Sequence, residues 1–532
     1  MLQYYLLFLI ANIFQKKIII IIMIGCLVVL MSLLFIGEFC YAEVKPMEKS
    51  QEDFLKSRLS PLPKKSKFFN EFYTLKKDNF ITVSTVKKLS DKQKDCLEDA
   101  LEAYFGFEVD IKNTENINNA NLGEEGYRIV IDKSGVRIDA KDYIAVRQSL
   151  KTLRQMSEVE RDGTGRVFAY SNVEDYATLS FRGIHLCMFP ETSIESLEKS
   201  VRLAAYYKFN YVVIEPWGTF PFKSHPFAFQ DKQHDRAKLK RLIKLCWDLG
   251  ITPIPQFSVL GHATQARVMA GKHAVLSASP EYADMFEPLG WSYCMTSKRA
   301  EKVLKELIAE IHEFYGKPPF FHLGCDEAYE MGTCYKCRQH NKSELFVAHL
   351  KKFSDYTKSL GARAIIWHDM LLDKKDPRWK KDVAVGDEIT ANALKTLSRD
   401  IIIADWQYSY KDKKQTFFPT PLHFKDAGFD VLVCPWEVKT GIYALAKTAK
   451  DNKLFGFLET TWHHLYGINY DLMFYHAGNS AWNGGEAVIE GTSAATRMQV
   501  SRHIIDVEND AKISKYDSQG KARYQVKVDM PN

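Results

Sequence analysis

The chain has 532 residues, of which 46% are hydrophobic and 26% charged, with a formal net charge of +6. That length exceeds the roughly 250 to 300 residues at which a single core stops growing, so more than one domain is expected. The composition excludes a disordered chain, a collagen-like repeat and a multi-span membrane protein. The basic residues are scattered along the chain, which disfavours nucleic acid as a partner.

At the N-terminus, Lys16 and Lys17 precede an apolar run from Ile18 to Ile36, and Cys40, Tyr41 and Ala42 follow it. These are the parts of a secretory signal. The run is also about as long as a bilayer-spanning helix, which needs roughly 17 to 25 residues. Residues 1–43 are therefore read as a signal peptide or signal anchor. Either reading makes the protein secreted, periplasmic or attached to the cell envelope, with an N-terminal membrane tether if the leader stays. Among the 10 cysteines, Cys187, Cys246 and Cys434 sit in apolar patterns and read as buried thiols.

Residues 44–67 are rich in Lys, Ser and Pro without periodicity and read as a linker. A small α+β domain is expected over 68–165. Phe80 to Ser84 alternates like a strand, Ser90 to Phe105 has helical spacing, and two runs from Tyr127 and Gly135 predict a hairpin. A helix over Asp142 to Met156 closes that domain.

Over 178–500 the pattern changes to short apolar strands, each followed by an amphipathic helix, with a C-terminal extension from 501 to 532. Strands are predicted at Phe181 to Phe189, Tyr211 to Glu215, Thr252 to Phe257, Pro319 to Leu323, Ala364 to Trp367, Ile401 to Ala404, Val431 to Cys434 and Phe455 to Leu458. Eight such units imply a parallel (β/α)8 TIM barrel, with a doubly wound open sheet as the alternative. Aromatic and charged residues cluster after nearly every strand, where a barrel builds its site. They include Arg182 with His185, Glu215 with Trp217, Gln256 with His262, Trp367-His368-Asp369, Trp406 with Tyr408, Trp436-Glu437, and Glu459 with Trp462. Indole faces beside carboxylates suit a sugar, whose ring stacks while its hydroxyls take charged hydrogen bonds.

The sharpest motif is Phe321-His322-Leu323-Gly324-Cys325-Asp326-Glu327-Ala328, an apolar strand that delivers two adjacent carboxylates past a glycine. Neighbouring side chains of a regular strand face opposite ways, so the pair can converge only where the strand breaks. Gly324 offers that break. This segment resembles the His-x-Gly-x-Asp-Glu signature of glycoside hydrolase family 20, the β-N-acetylhexosaminidases. Phe181-Arg182-Gly183 resembles the family's opening strand, and the run from Pro255 to Thr264 resembles its third strand with a Gly-His pair. The region from Tyr127 to Met156 is similar to its small non-catalytic domain. Gln256, Ser258 and His464 depart from acidic residues common in the family, and Trp406-Gln407-Tyr408 is similar to a divergent branch.

The resemblance implies exo-acting removal of terminal β-linked GlcNAc or GalNAc from a glycan by a substrate-assisted retaining mechanism, with no cofactor. In that scheme Glu327 is the general acid and Asp326 orients the substrate's acetamide. Tyr408 is expected to bond the acetamide, Arg182 and His262 to bind substrate, and Trp367, Trp406 and Trp462 to wall the pocket. Two alternatives stay open: a carbohydrate-binding barrel without turnover, or a hydrolase of a modified hexosaminide. Cys334 and Cys337 with His340 permit zinc, aided by Cys325 or Cys294, but also a disulfide or free thiols. The proposed chemistry requires no metal.

Overall fold

The computed structural model describes residues 45–160, 164–226, 234–263, 280–379, 383–408, 417–462, 468–486 and 493–517. The leader and His464 lie outside the described residues. Among the described residues no helix is long and apolar enough to cross a membrane.

A first sheet is built from β1 (Lys65–Lys76), β2 (Phe80–Thr85), β3 (Asp110–Glu115), β4 (Tyr127–Asp132), β5 (Gly135–Ala140), β6 (Glu158–Val159) and β7 (Gly165–Asp175). Its order is β1-β7-β4-β5-β2-β3, with β6 paired to β7. The β4–β5 hairpin turns where expected, with Asp132 opposite Gly135. Helices Asp91–Phe105 and Tyr143–Met156 are stopped and started by local chemistry. Ser90 closes a capping box with Gln93, and Asp142 accepts from Ala145 N–H. The segment read as a linker is partly structured: it carries helix Lys49–Ser57, and Pro46 bridges Phe69.

The second sheet is the predicted barrel. Its strands are β8 (Phe181–Met188), β9 (Tyr211–Pro216), β10 (Thr252–Pro255), β11 (Phe320–His322), β12 (Arg363–Trp367), β13 (Ile402–Trp406), β14 (Asp430–Cys434) and β15 (Gly456–Thr460). All neighbours are parallel, in the order β10-β9-β8-β15-β14-β13-β12-β11. The ring closes through a Gln256–His322 bridge and bonds from Phe257 N–H to His322 O and Val259 N–H to Leu323 O. Side-chain alternation sorts each strand. Phe181, Val213, Ile254, Ile365, Ile402, Leu432 and Leu458 fill the barrel interior, while Ile184, Val212, Ile366, Ile403 and Val431 pack against the surrounding helices.

The small sheet meets the barrel through a buried polar network. Lys208 Nζ donates to Asp175 Oδ2 at 2.8 Å and to the Tyr127 hydroxyl at 2.7 Å, and Trp482 Nε1 donates to Asp175 Oδ1 at 2.9 Å. Each polar atom there has a partner, as burial demands. The expected C-terminal extension from 501 also differs. Helix Ser493–Asp517 runs across that boundary and packs back on the body, with His503 Nδ1 3.0 Å from the Tyr207 hydroxyl and Asp506 bonded to Arg154 and Tyr206.

Candidate active site

Strand β11 ends at His322, and the chain then leaves extended conformation. Gly324, Cys325 and Glu327 have φ of 65°, 74° and 46°. These left-handed turns bring the two carboxylates round to one place, which a straight strand would forbid. The imidazole of His262 marks the convergence: its Nε2 lies 3.3 Å from Asp326 Oδ2 and 3.3 Å from Glu327 Oε2. His262, Glu437 and Trp462 are also left-handed, at 54°, 55° and 46°. Four strands thus end in backbone conformations that cost roughly 1–3 kcal/mol for each non-glycine residue. Gly261 permits the approach of the His262 loop, since a Cβ there would collide with the Asp326 carbonyl oxygen.

The two carboxylates differ in exposure. Asp326 is 7% exposed at its side chain and Glu327 25%, so the aspartate lies deep and the glutamate faces the opening. Two further groups hold the glutamate in place, and neither was among the site residues expected from the sequence. The Glu327 N–H donates to Asp369 Oδ2 at 2.9 Å, and Trp291 Nε1 donates to Glu327 O at 2.6 Å. Burial, and next the charge of Asp326, push the Asp369 carboxyl well above the usual carboxylate range. That shift favours the protonated form of Asp369 over a second negative charge beside Asp326. Its position after Trp367-His368 was visible in the sequence; nothing near Trp291 marked that residue.

The expected aromatic wall forms one connected group. Trp367 and Trp462 have ring centroids 5.7 Å apart, and Trp406 stacks on Tyr408 at 5.1 Å. Trp462 Nε1 donates to the Tyr408 hydroxyl at 2.9 Å, and Trp436 meets Tyr408 edge-on. Trp217 continues the ring toward His262, 5.9 Å away. Below this wall, Gln256 and His185 are absorbed in the barrel: Gln256 Nε2 donates to Glu215 Oε1 at 2.7 Å, and His185 Nε2 lies 3.1 Å from Glu215 Oε2.

Arg182 is not part of this arrangement. It is the second residue of β8, at the opposite end of the barrel, and alternation turns it outward with Ile184. Its Nη2 bonds both oxygens of Glu125 at 2.8 and 2.7 Å, while Nε and Nη1 donate to the carbonyls of Lys208 and Leu179. Its donors are spent on Glu125 of the small domain and on backbone carbonyls at the foot of the barrel, so the expected role in sugar binding is corrected to a structural one.

Residues 56–176 match the family model described as glycosyl hydrolase family 20, domain 2, and residues 227–475 match that of its catalytic domain. The chain belongs to glycoside hydrolase family 20. A β-hexosaminidase of Vibrio furnissii is 21% identical over 351 residues, covering 57% of this chain and 55% of that protein. A lacto-N-biosidase of Bifidobacterium bifidum is 22% identical over 290 residues, covering 50% of this chain and 24% of that protein. The chain thus spans about half or less of the length of these curated relatives. Among solved structures, the Flavobacterium johnsoniae chitobiase superposes with a TM-score of 0.64 at 15% identity, covering 90% of this chain and 77% of that one. A Vibrio harveyi family 20 exo-β-N-acetylglucosaminidase in complex with N-acetylglucosamine gives 0.62 at 15% identity, over 85% and 78%. At such identities the superpositions establish a shared fold.

Proposed function

We propose that this family 20 protein is an exo-acting β-N-acetylhexosaminidase that works by substrate-assisted catalysis. The observation that carries the reading is the convergence of Asp326 and Glu327 on His262 beneath an aromatic wall. Glu327, the more exposed of the pair, protonates the leaving glycosidic oxygen. The substrate's own acetamide oxygen attacks the anomeric carbon as that bond breaks, forming an oxazolinium. Asp326, held deep beside Asp369, accepts the amide N–H and balances its growing positive charge. Glu327, now a carboxylate, takes a proton from water as that water attacks the anomeric carbon, so configuration is retained. The Tyr408 hydroxyl accepts from Trp462, which directs its own proton away from the indole and toward an acceptor such as the acetamide carbonyl.

The names of several relatives support this activity, and the carboxylate pair supports turnover over mere sugar binding. The test is a panel of aryl β-glycosides of GlcNAc, GalNAc and glucose. Cleavage of the acetamido sugars with rejection of the glucoside is expected; binding without turnover of any of them would leave a lectin-like barrel. The basic and apolar leader pattern supports export of the enzyme. Fractionation of cells is the check, and activity confined to the cytoplasm would contradict it.

A further inference from the structure

Beside the proposed active site, a hairpin and a loop bring together Glu287, Cys294, Cys334 and Cys337. One donor atom from each lies within 4.8 Å of all the others. The hairpin pairs Phe286 with Tyr293 and carries Glu287 and Cys294. The loop follows Glu327 and carries the Cys-x-x-Cys pair. Cys294 Sγ is 3.6 Å from Cys334 Sγ and 3.6 Å from Cys337 Sγ. Sulfurs bonded to one tetrahedral zinc at about 2.3 Å stand roughly 3.8 Å apart, whereas a disulfide needs about 2.05 Å.

Two features separate a metal from a thiol pair. Cys294 is equally near both partners, so a disulfide would use one and strand the other, while a tetrahedral ion uses all three. Glu287 is buried against the thiols, and among the described residues no basic side chain is bonded to it; its Oε2 accepts the Cys334 N–H at 2.6 Å and the Thr333 hydroxyl at 3.3 Å, and its Oε1 is buried with no N–H or O–H donor among those residues. A buried carboxylate among thiols calls for a cation. The Cys337 N–H points to Cys334 Sγ at 3.4 Å, which suits a thiolate acceptor. His340, weighed earlier as a ligand, is exposed, and Cys325 bonds its own strand at Leu323 O; neither joins the cluster.

We infer that Glu287, Cys294, Cys334 and Cys337 form a closed structural site for one divalent zinc ion, which displaces the three thiol protons to solvent. All four tetrahedral positions are protein ligands, so the ion takes no part in glycoside cleavage. Its role is to pin the hairpin to the loop. That hairpin carries Trp291, which bonds Glu327 O, and its Leu289, Trp291 and Ser292 N–H groups all donate to Glu330 in the loop. Three-sulfur coordination favours zinc over magnesium or calcium.

The test uses the purified full chain. Elemental analysis is expected to give about one zinc per chain, and exchange with cobalt should give the intense visible bands of tetrahedral Co(II) with near-ultraviolet thiolate charge transfer. Cys294→Ser should lose both, whereas Cys246→Ser, a buried thiol outside the cluster, should keep both. Chelation should lower the melting temperature of the wild type and leave that of Cys294→Ser unmoved. If Cys294→Ser does not fold, the wild-type zinc content and cobalt spectrum still decide. Wild-type protein without stoichiometric zinc, octahedral cobalt bands, or a disulfide joining Cys294 to Cys334 or Cys337 on peptide mapping would each overturn the site. None of these readouts depends on glycosidase activity.

Discussion

The backbone N–H of Glu327 donates to Asp369 Oδ2 at 2.9 Å, so the proposed acid is anchored at its main chain by a carboxyl whose pKa burial raises. Asp369→Asn retains an oxygen acceptor for the Glu327 N–H, so it should keep kcat within about fivefold. Asp369→Leu strands the Glu327 N–H, a loss of about 1–3 kcal/mol, and should lower kcat by roughly ten- to a hundredfold. Steady-state kinetics of both variants on an aryl GlcNAc glycoside check this. Equal effects of the two would contradict the anchoring role.

Glu327→Gln removes leaving-group protonation and, in the second step, the carboxylate that takes the proton of the attacking water. Turnover of substrates with poor leaving groups should fall by about 10² to 10⁴, while activated aryl glycosides retain a larger share of their rate. The comparison is kcat/KM across a series of leaving groups of graded acidity. A loss independent of leaving group would remove Glu327 from the acid role.

Arg182 provides the opposite kind of test, because its guanidinium is spent on Glu125 at the domain joint. Arg182→Met leaves the half-buried Glu125 carboxylate with only the amides of Gln148 and Asn210 and without its charged partner, and should cost roughly 2–4 kcal/mol of stability. KM of the folded variant should stay near wild type. A raised KM with unchanged stability would return Arg182 to the sugar site.

Asp405 of β13 contributes to the pH dependence of stability; Gln407 and Thr420 donate to its Oδ1. Burial raises its pKa from 3.8 to about 7. The folded chain therefore holds this proton more tightly than the unfolded chain does. Stability from the group is full below its unfolded pKa and is lost as pH rises through about 7. Asp405→Asn keeps the acceptor oxygen but does not titrate. Its stability relative to wild type should grow by a few kcal/mol between about pH 4 and 7, measured by denaturant unfolding. A difference constant with pH would contradict the buried neutral acid.

The barrel was legible because its eight strands are short, apolar and separated by amphipathic helices, a pattern that depends on local sequence alone. Strands β1 and β7 escaped notice for a physical reason. β1 is the edge strand, bridged on its outer side only around Phe69, and alternates poorly between buried and exposed positions, and its register with β7 is set across nearly a hundred residues. The carboxylate pair was legible because two acids follow an apolar strand and a glycine. Asp369 and Trp291 act through contacts from distant segments, Asp369 through its buried carboxyl and Trp291 through its indole N–H, and such contacts leave no spacing to read. Arg182 was assigned to the wrong end of its strand, since the motif gives its neighbours but not which end of the barrel they occupy. The sequence offers Cys294 as a fourth ligand, whereas Glu287 carries no signal until the hairpin brings it to the thiols.

In the proposed mechanism Asp326 orients the acetamide and does not itself attack the sugar. A thiazoline made from GlcNAc mimics the cyclised intermediate, so its inhibition constant on wild type and on Asp326→Asn measures the claim directly. Strong inhibition of the wild type, much weaker inhibition of the variant, and rejection of an aryl glucoside by the wild type are the predicted results. Thiazoline binding indifferent to Asp326, or ready cleavage of the glucoside, would contradict the mechanism even if GlcNAc glycosides were hydrolysed.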